Sequence, residues 1–416
     1  MGERQPTLIV AYGLGTASPS AVVKAAEHIA RVVFVFDSGE PHSRAMARVL
    51  RSLVMAFDVS TGYATVVEEL KKLDAQGVVT FSESCLGLAS RLGVDLGLGF
   101  HSPVTVDRLT DKALQREILN RAGLSSVRGV TVESATGLRR AVEAVGVPFV
   151  VKPLAGFGSR CTLGCWKPAD ILAVEQSLRA YGSGPWVVEQ MMPAGRHPSG
   201  PWLGDYVSVE SAVIEGRVRH LALTDKLPLV RPFREKGAIM PGSLERELRD
   251  RVLELASGAI NALGVRSGLL HTEVKLAADG PQIIEVNGRL GGEVANLIRR
   301  SAGFDPIVLA IQIALGMTDS VGELVHHRIA VHYAVLAPEG VFEVVSNPDS
   351  SAFLKSGEAV WRVETQHRRG SIVDSSRGTL DAIARVYADA VAPGDIERMV
   401  ARFDRIAHRY VEMRDR

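Results

Sequence analysis

Residues 271–292 read HTEVKLAADGPQIIEVNGRLGG and bring several carboxylates and an amide close together in the sequence. Two short runs with β-like alternation flank an Ala-Asp-Gly-Pro turn signal, which predicts a hairpin. Side chains alternate between the two faces of a strand, so Glu285, Asn287 and Arg289 point the same way. Gly291 and Gly292 come just after them and would let a ligand approach the backbone closely.

The face of Glu273 depends on the turn. A two-residue Asp-Gly turn would place Glu273 opposite Val286, whereas an odd-length loop centred on Asp279, or a bulge, would place it opposite Glu285. Facing carboxylates are destabilising unless something compensates them. Two carboxylates and an amide oxygen suit Mg²⁺, with Mn²⁺ as an alternative, so we predict an odd loop or a bulge. The competing interpretation is a surface hairpin of mixed charge.

The composition is that of an ordinary globular protein. The chain has 416 residues, 46% hydrophobic and 23% charged, with a net charge of +1, which predicts two or three domains. The chain has no excess of basic residues that would indicate binding to nucleic acid. No apolar run is long enough to span a membrane, and no secretory leader is expected. The predicted location is therefore the cytoplasm. Three cysteines do not indicate a disulfide framework, and the lone C-x3-C of Cys161 and Cys165 does not favour zinc.

The first hundred residues alternate strand and helix. This pattern predicts a parallel α/β domain ending near residue 105, with strands at 7–13, 31–37 and 77–81 and a helix at 19–30. Gly13-Leu14-Gly15 followed by Asp37 invites a dinucleotide interpretation, but Ser18 stands where the third glycine belongs. A Rossmann-like domain without nicotinamide is therefore favoured over a nicotinamide enzyme.

The middle of the chain gives further elements and two predicted loops. The expected helices are 110–122, 136–146 and 244–263, and the expected strands are 147–153, 185–191, 206–214 and 220–226. AGRHPSGPWLG (194–204) is rich in glycine and proline and predicts a surface excursion. Residues 231–242 have mixed charge and no period, which predicts a mobile segment. From about residue 328 the pattern predicts a small terminal α/β unit.

Two lysines stand where phosphate could bind. Lys152 ends a strand, and the loop after it carries Gly156, Gly158 and Ser159, so backbone N–H groups could approach phosphate oxygens there. Lys112 opens a helix, where a cation is disfavoured unless it binds an anion. Each lysine could instead be simply solvated.

Three acids stand on or beside later strands. Glu189 in WVVEQMM could accept hydrogen bonds from an exocyclic amine, or be an exposed strand residue. Asp205 and Glu210 flank the V-S-V strand, and either could accept from vicinal hydroxyls or pair with a cation. Glu83 follows the 77–81 strand at its carboxyl end, where ligand sites of α/β sheets gather, and is a candidate to hold a substrate amine.

The order of these residues along the chain resembles that of the ATP-grasp superfamily. The series consists of Lys112, Lys152 with its glycine loop, Glu189, Asp205, Glu273 and the E-x-N-x-R of residues 285–289. The series looks closest to carboxylate–amine ligases that join amino acids. The resemblance covers nearly the whole chain and implies an α/β fold, α+β in the core. It implies a Rossmann-like pre-ATP-grasp domain at 1–107, an ATP-grasp core at 108–328 with a lid at about 115–190, and a terminal subdomain at 329–416.

The resemblance also implies a role for each matching residue. Lys112, Lys152 and the loop with Gly156, Gly158 and Ser159 would contact ATP phosphates; Glu189, Gln190, Met191 and Met192 would read adenine; Asp205 would hold the ribose; Glu273, Glu285 and Asn287 would bind Mg²⁺; Arg289, with Gly291 and Gly292, would hold the acyl phosphate or substrate carboxylate. The family's ribose acid stands immediately before the V-S-V strand, where this chain has Tyr206, which leaves Asp205 uncertain in that role.

The implied chemistry is ATP-dependent amide formation between a small-molecule carboxylate and an amine, expected to be amino acids, through an acyl phosphate. Lys226 could touch phosphate or the amine substrate's carboxylate, or be an ion-paired loop residue. His271 could act as the base for the amine, although a structural role is favoured. A homodimer is a candidate assembly. The alternatives are a purine-pathway ligase, a biotin-carboxylase-like subunit, and a non-catalytic ATP-binding module.

Overall fold

The computed structural model describes residues 5–182 and 184–415, so the predicted domain limits at residues 1 and 416 lie outside the described part. Within that part, the helices are all too short or too polar to cross a membrane. The chain forms an N-terminal α/β layer, a small antiparallel sheet in the region predicted to be a lid and called the lid below, and a large central sheet, with another small sheet at the C-terminus.

The N-terminal layer is a four-stranded parallel sheet in the order β3-β2-β1-β4. Strands such as RVVFVF are apolar almost throughout because helices cover both faces of a parallel sheet. The prediction of a parallel α/β domain is confirmed. The elements are β1 Thr7–Tyr12, α1 Pro19–Ala26, β2 Arg31–Phe36, α2 Pro41–Leu53, β3 Ala56–Asp58, α3 Tyr63–Lys71, β4 Ala75–Thr80 and α4 Leu86–Leu96.

A helical connector leads into the lid, an antiparallel sheet in the order β5-β8-β6-β7. Two helices cover one face of this sheet and share an apolar core with it. The connector and lid elements are α5 Pro103–Thr110, α6 Lys112–Arg121, β5 Gly129–Val132, α7 Leu138–Val145, β6 Phe149–Pro153, β7 Leu163–Cys165, α8 Ile171–Tyr181 and β8 Trp186–Gln190.

The central sheet has eight strands in the order β13-β12-β9-β10-β11-β14-β18-β16, and β17-β15-β19 form the small C-terminal sheet. The strands are β9 Tyr206–Ile214, β10 Arg217–Lys226, β11 Gly237–Met240, β12 Gly268–Ala277, β13 Gly280–Asn287, β14 Ile329–Val335, β15 Val341–Val344, β16 Ala359–Thr365, β17 Ile372–Asp374, β18 Ala384–Ala390 and β19 Met413–Asp415. The helices are α9 Arg246–Ala262, α10 Val294–Ala302, α11 Pro306–Ala314, α12 Ser351–Leu354 and α13 Pro393–Tyr410.

The alternation of β9 explains where polar side chains gather. Val207 and Val209 pack with helix α9 on one face of the central sheet. Ser208 and Glu210 are therefore directed to the opposite face, since successive side chains alternate. His271 and Glu273 of β12 lie on the same face, because they pair with Glu210 and Ser208 and antiparallel partners share a face.

One prediction about loops was wrong, and another holds only in part. Residues 231–242 were expected to be mobile, but they contain β11, a buried strand inside the central sheet. The run Gly-Ala-Ile-Met is too short to show a period, and its partners β10 and β14 lie far apart in the sequence. The 194–204 excursion is not wholly superficial, since Gly195 pairs with Ala277 and His197 is buried.

The C-terminal part does not stand apart from the core. Strands β14, β16 and β18 continue the central sheet beyond β11, and the remaining strands form the small sheet next to it. Helices α10 and α11 pack under the central sheet and also contact the N-terminal layer, where α11 lies against β4. These contacts bring the carboxyl end of β4 close to the hairpin.

Candidate active site

The hairpin of β12 and β13 places its two acids directly opposite each other. His271 pairs with Asn287 and Glu273 pairs with Glu285. Nearer the turn, Ala277 pairs with Gly280 across a two-residue turn, and the register shifts by one residue after Glu273. The predicted shared face and the bulge are confirmed, whereas an odd-length loop is wrong. The bulge restores the pairing that an even turn would otherwise break.

Glu285 stands in a chain of polar contacts along this face. Asn287 Nδ2 donates to Glu285 Oε1 at 3.2 Å, and Arg289 Nη2 donates to Asn287 Oδ1 at 3.3 Å. Lys112 Nζ lies 3.4 Å from Glu285 Oε2. Burial works to raise the pKa of Glu285, but Lys112 and then Lys152 outweigh it and hold the pKa at about 2. Glu285 is therefore ionised at neutral pH.

Glu189 is occupied by two cations. Arg116 Nε donates to its Oε1 at 2.9 Å, and Lys152 Nζ lies 2.7 Å from its Oε2. Burial acts to raise the pKa of Glu189, yet Arg116 and Lys152 outweigh burial and hold the pKa at about 2. The carboxylate was expected to read an exocyclic amine, and in this structure each of its oxygens already has a cationic partner with which an amine would compete.

The backbone N–H groups of residues 190–192, just after Glu189, differ in whether they have an acceptor. The N–H of Gln190 donates to the Arg128 carbonyl, and that of Met191 donates to the Pro148 carbonyl. The N–H of Met192 has no hydrogen-bond acceptor among the described residues. A flat heterocycle placed against this edge could therefore accept a hydrogen bond from the N–H of Met192.

His271 lies between two carboxylates. Its Nδ1 is 2.5 Å from Glu210 Oε1, and its Nε2 is 3.4 Å from Glu273 Oε1. Burial works to lower the pKa of His271, but Glu210 outweighs it and raises the pKa to about 9. A raised pKa favours the structural role of His271, which the sequence analysis also preferred, over that of a base. Glu210 contacts His271 here, and the sequence had left open whether it pairs with a cation or accepts from hydroxyl groups.

Arg289 connects the hairpin to the N-terminal layer. Its Nε lies 3.2 Å from Oε2 of Glu83, and both side chains are more than 90% buried. Oε2 of Glu83 is buried without a hydrogen-bond partner of good geometry among the described residues. Burial raises the pKa of Glu83, although Arg289 opposes it. Gly291 donates its N–H to Glu210, and a side chain on Gly292 would meet open space.

Two further predicted residues are already paired. Lys226 Nζ lies 3.1 Å from Glu235 Oε1, and burial, which lowers the pKa of Lys226, is outweighed by Glu235 so that the pKa rises. Asp205 accepts from the Gly195 N–H at 3.0 Å and contacts Lys275 Nζ at 2.7 Å. The predicted ribose role of Asp205 therefore competes with two existing partners.

The glycine loop is held from both sides. Lys112 Nζ donates to the Gly156 carbonyl at 2.7 Å. The Gly158 carbonyl accepts from the Thr379 N–H at 2.9 Å, so the loop contacts the C-terminal part of the chain. Gly158 has a φ of 70°, which glycine adopts without strain, and Ser159 follows it with a positive φ of 55°. Lys112 thus lies between the loop and Glu285.

The sequence did not single out Arg116 and Glu235. Arg116 stands four residues after Lys112 on helix α6, and residues four apart share a helix face, so its position beside the site could have been inferred. Glu235 lies in a loop between β10 and β11, and the sequence around it carries no period.

The oxygen ligands on the hairpin suit a hard divalent cation that takes its remaining ligands from water or a substrate. Among residues 5–182 and 184–415, no group of three or more His, Cys, Asp and Glu side chains could hold a metal unaided. Glu273, Glu285 and Asn287 supply two carboxylates and one amide oxygen, and the two acids are about one-fifth exposed. Mg²⁺ commonly completes its shell with phosphate and water oxygens, which matches this short set.

No family model matches the chain. It is 25% identical over 273 residues to the alanine–anticapsin ligase of Bacillus subtilis (strain 168), covering 60% of this chain and 56% of that protein. The chain thus spans little more than half the length of this curated relative. It is also 25% identical over 340 residues to human carnosine synthase 1, covering 74% of this chain and 40% of the relative.

The solved structures are similar over the whole chain. The L-amino acid ligase from Bacillus licheniformis superposes with a TM-score of 0.76 at 22% identity, and all of both chains is covered. Because the sequence identity is only 22%, this structural similarity establishes the fold alone. Similarity in sequence comes from the curated relatives. The chain has the ATP-grasp fold, and the named enzymes it matches in sequence are ligases.

Proposed function

We propose that the protein is an ATP-dependent carboxylate–amine ligase that forms an amide bond through an acyl phosphate and releases ADP and phosphate. The observation that carries this proposal is the pairing of Glu273 with Glu285 on one face, with Lys112, Lys226 and Arg289 beside them. Cations around a pair of acids suit a polyphosphate bound with a divalent metal.

Lys112 and Lys152 would hold the phosphates of ATP, with Gly156, Gly158 and Ser159 closing over them. Glu189 would then orient Lys152 through their 2.7 Å ion pair instead of touching adenine. The free N–H of Met192, with Gln190 and Met191 beside it, would read the adenine edge. Asp205 remains the proposed ribose acid, and Lys275 would have to release it.

Glu273, Glu285 and Asn287 would hold Mg²⁺, with Mn²⁺ as the alternative. When bound, the ion would neutralise charge that develops between the transferred phosphoryl group and ADP. Asn287 already aligns Glu285 through a hydrogen bond of 3.2 Å. Lys112, now 3.4 Å from Glu285, would be free to turn to a phosphate.

The reaction begins when a substrate carboxylate oxygen attacks the γ-phosphorus of ATP and the bond to the β-bridging oxygen breaks. The amine then attacks the acyl carbon, the acyl–oxygen bond breaks, and phosphate leaves. Arg289 would hold the carboxylate and later the oxyanion, because its guanidinium is fixed by Asn287 and Glu83. Lys226 would stabilise the phosphate, and the amine loses its proton to phosphate or solvent.

The substrates are proposed to be amino acids. Arg289 and Glu83 lie side by side, so one molecule with both a carboxylate and an ammonium group could meet both. The partly unsatisfied Glu83 carboxylate would accept the ammonium group, since a buried acceptor gains from a donor. Gly291 and Gly292 would border this pocket. The names of two matched proteins, an alanine–anticapsin ligase and an L-amino acid ligase, support this class.

The test is a phosphate-release screen over paired amino acids with ATP and Mg²⁺, with products identified by mass. We expect ADP, phosphate and a dipeptide in equal amounts for at least one pair. Phosphate release only with bicarbonate would instead favour a carboxylating ATP-grasp enzyme. Nucleotide binding without turnover for any carboxylate would favour a non-catalytic module. A cytoplasmic location and a homodimer remain predictions.

A further inference from the structure

Glu210 has no part in the steps proposed above, yet it is the most enclosed acid near the hairpin. It lies in the middle of β9 with no exposed surface. Its Oε1 is 2.5 Å from His271 Nδ1, and its Oε2 accepts the N–H of Gly291 at 3.3 Å. A buried carboxylate is costly without partners, and these contacts supply them.

The two contacts lead to two different parts of the site. Through His271, Glu210 reaches Glu273, whose Oε1 is 3.4 Å from His271 Nε2. Through Gly291, it reaches the segment that follows Arg289. The packing is tight there, because a Cβ on Gly291 would lie 2.5 Å from His271 Nδ1. A single carboxylate therefore fixes the metal-site acid and the segment next to the acyl group relative to each other.

We propose that Glu210 is a positioning residue for the ligase reaction. It holds His271 so that Glu273 presents its carboxylate to the metal, and it holds Gly291 so that the segment after Arg289 keeps its place. The proposal rests on the metal site described under the proposed function. Side chains that orient metal ligands typically change metal affinity or activity about 10- to 100-fold when they are removed.

The test measures Mn²⁺ affinity by electron paramagnetic resonance on the whole 416-residue chain with saturating ADP. Glu210→Gln puts an NH₂ group where one of two donors needs an acceptor, so either His271 or Gly291 is released. We expect Mn²⁺ to bind about 10- to 100-fold more weakly. ADP affinity measured by calorimetry in the presence of a chelator should stay within about twofold, since the nucleotide itself does not touch Glu210.

Thr224→Val is the matched control. Thr224 lies on the neighbouring strand β10, is equally buried, and its Oγ1 has no partner in the described structure. Its replacement should leave both affinities unchanged. His271→Gln breaks the same link at the imidazole and should weaken Mn²⁺ binding like Glu210→Gln, which keeps the test valid if the Glu210 variant does not fold.

The outcomes separate the two proposals. Absence of Mn²⁺ binding by the wild-type protein with ADP would contradict the proposed metal site and the role of Glu210 with it. Normal binding by the wild type and by the Glu210 and His271 variants would overturn only the positioning role. Equal losses of Mn²⁺ and of metal-free ADP affinity would also overturn it, because they would show general damage to the fold.

Discussion

Glu189 and Glu285 are two ionised carboxylates, each with a pKa near 2 and each beside lysine, and yet their surroundings differ. Glu189 is almost fully buried, and both its oxygens contact a cation within 3 Å. Glu285 has an 18% exposed side chain and a single lysine at 3.4 Å. Glu189, with a cation at each oxygen, holds the lid and the connector together. Glu285, which is partly exposed and has one lysine nearby, would still have oxygen lone pairs available for a metal ion.

The largest expected effect comes from Glu285→Gln. The amide keeps the shape of the side chain but loses the charge that would hold a divalent cation. Turnover should therefore fall by about 10³-fold or more, which corresponds to a rise of at least about 4 kcal/mol in the activation free energy. The melting temperature should also fall, because the lowered pKa of Glu285 means that the folded protein is stabilised by its charged form. Steady-state phosphate release and a thermal melt check both. Retained turnover would remove Glu285 from the metal site.

Arg116→Ala tests the other side of the comparison. It removes one cation from Glu189 and three further hydrogen bonds from Arg116, to Ser125 and to the carbonyls of Ile283 and Ile284. Breaking a buried pair costs about 3–5 kcal/mol, and we expect about 3 because Lys152 still faces Glu189. Urea unfolding measures the loss.

Arg121→Ala is the control for this variant. Arg121 lies on the same helix and pairs with Glu117, but its side chain is 75% exposed. Its removal should change stability by no more than about 0.5 kcal/mol. If the Arg116 and Arg121 variants were equally stable, Glu189 would not be an anchor.

The pH dependence of stability follows from the lowered pKa of Glu189. Its folded pKa of about 2 lies below the ordinary value of 4.5, so its contribution is present above pH 4.5 and is lost as the pH falls towards 2. Between pH 5 and pH 3 this loss should be about 1.5–2 kcal/mol. The gap in unfolding free energy between wild type and Glu189→Gln should therefore shrink on acidification, and a constant gap would contradict it.

Lys275→Ala should have the smallest effect. Lys275 pairs with Asp205 at 2.7 Å, but both side chains are at least one-fifth exposed, so the loss of stability should stay below about 1 kcal/mol. If Asp205 binds the ribose, its release should leave the KM for ATP equal or slightly lower. A rise of tenfold or more in this KM would show that Lys275 itself contacts the nucleotide.

The hairpin was predictable because its signal is local. The period of two in β13 places Glu285, Asn287 and Arg289 on one face, and the electrostatic conflict with Glu273 predicted an odd loop or a bulge, of which the structure has the bulge. The parallel strands of the N-terminal layer were predictable for a similar reason, since doubly buried strands are apolar throughout.

Features that depend on distant partners were not predictable. Strand β11 has four residues, and only its neighbours β10 and β14 make it part of the sheet. The joining of β14, β16 and β18 to the central sheet has no local signature either. The partners of Glu189 and Asp205 come from a helix and a strand far along the chain, so the sequence could not show that these acids were already occupied.

In the proposed reaction the carboxylate substrate becomes an acyl phosphate. The most direct test uses a carboxylate substrate labelled with ¹⁸O, with ATP, Mg²⁺ and the amine identified in the screen, and mass analysis of the released phosphate. Because a carboxylate oxygen attacks the γ-phosphorus and leaves with the phosphate, a single ¹⁸O atom should appear in the phosphate. Unlabelled phosphate, or ¹⁸O in AMP, would contradict the proposed reaction.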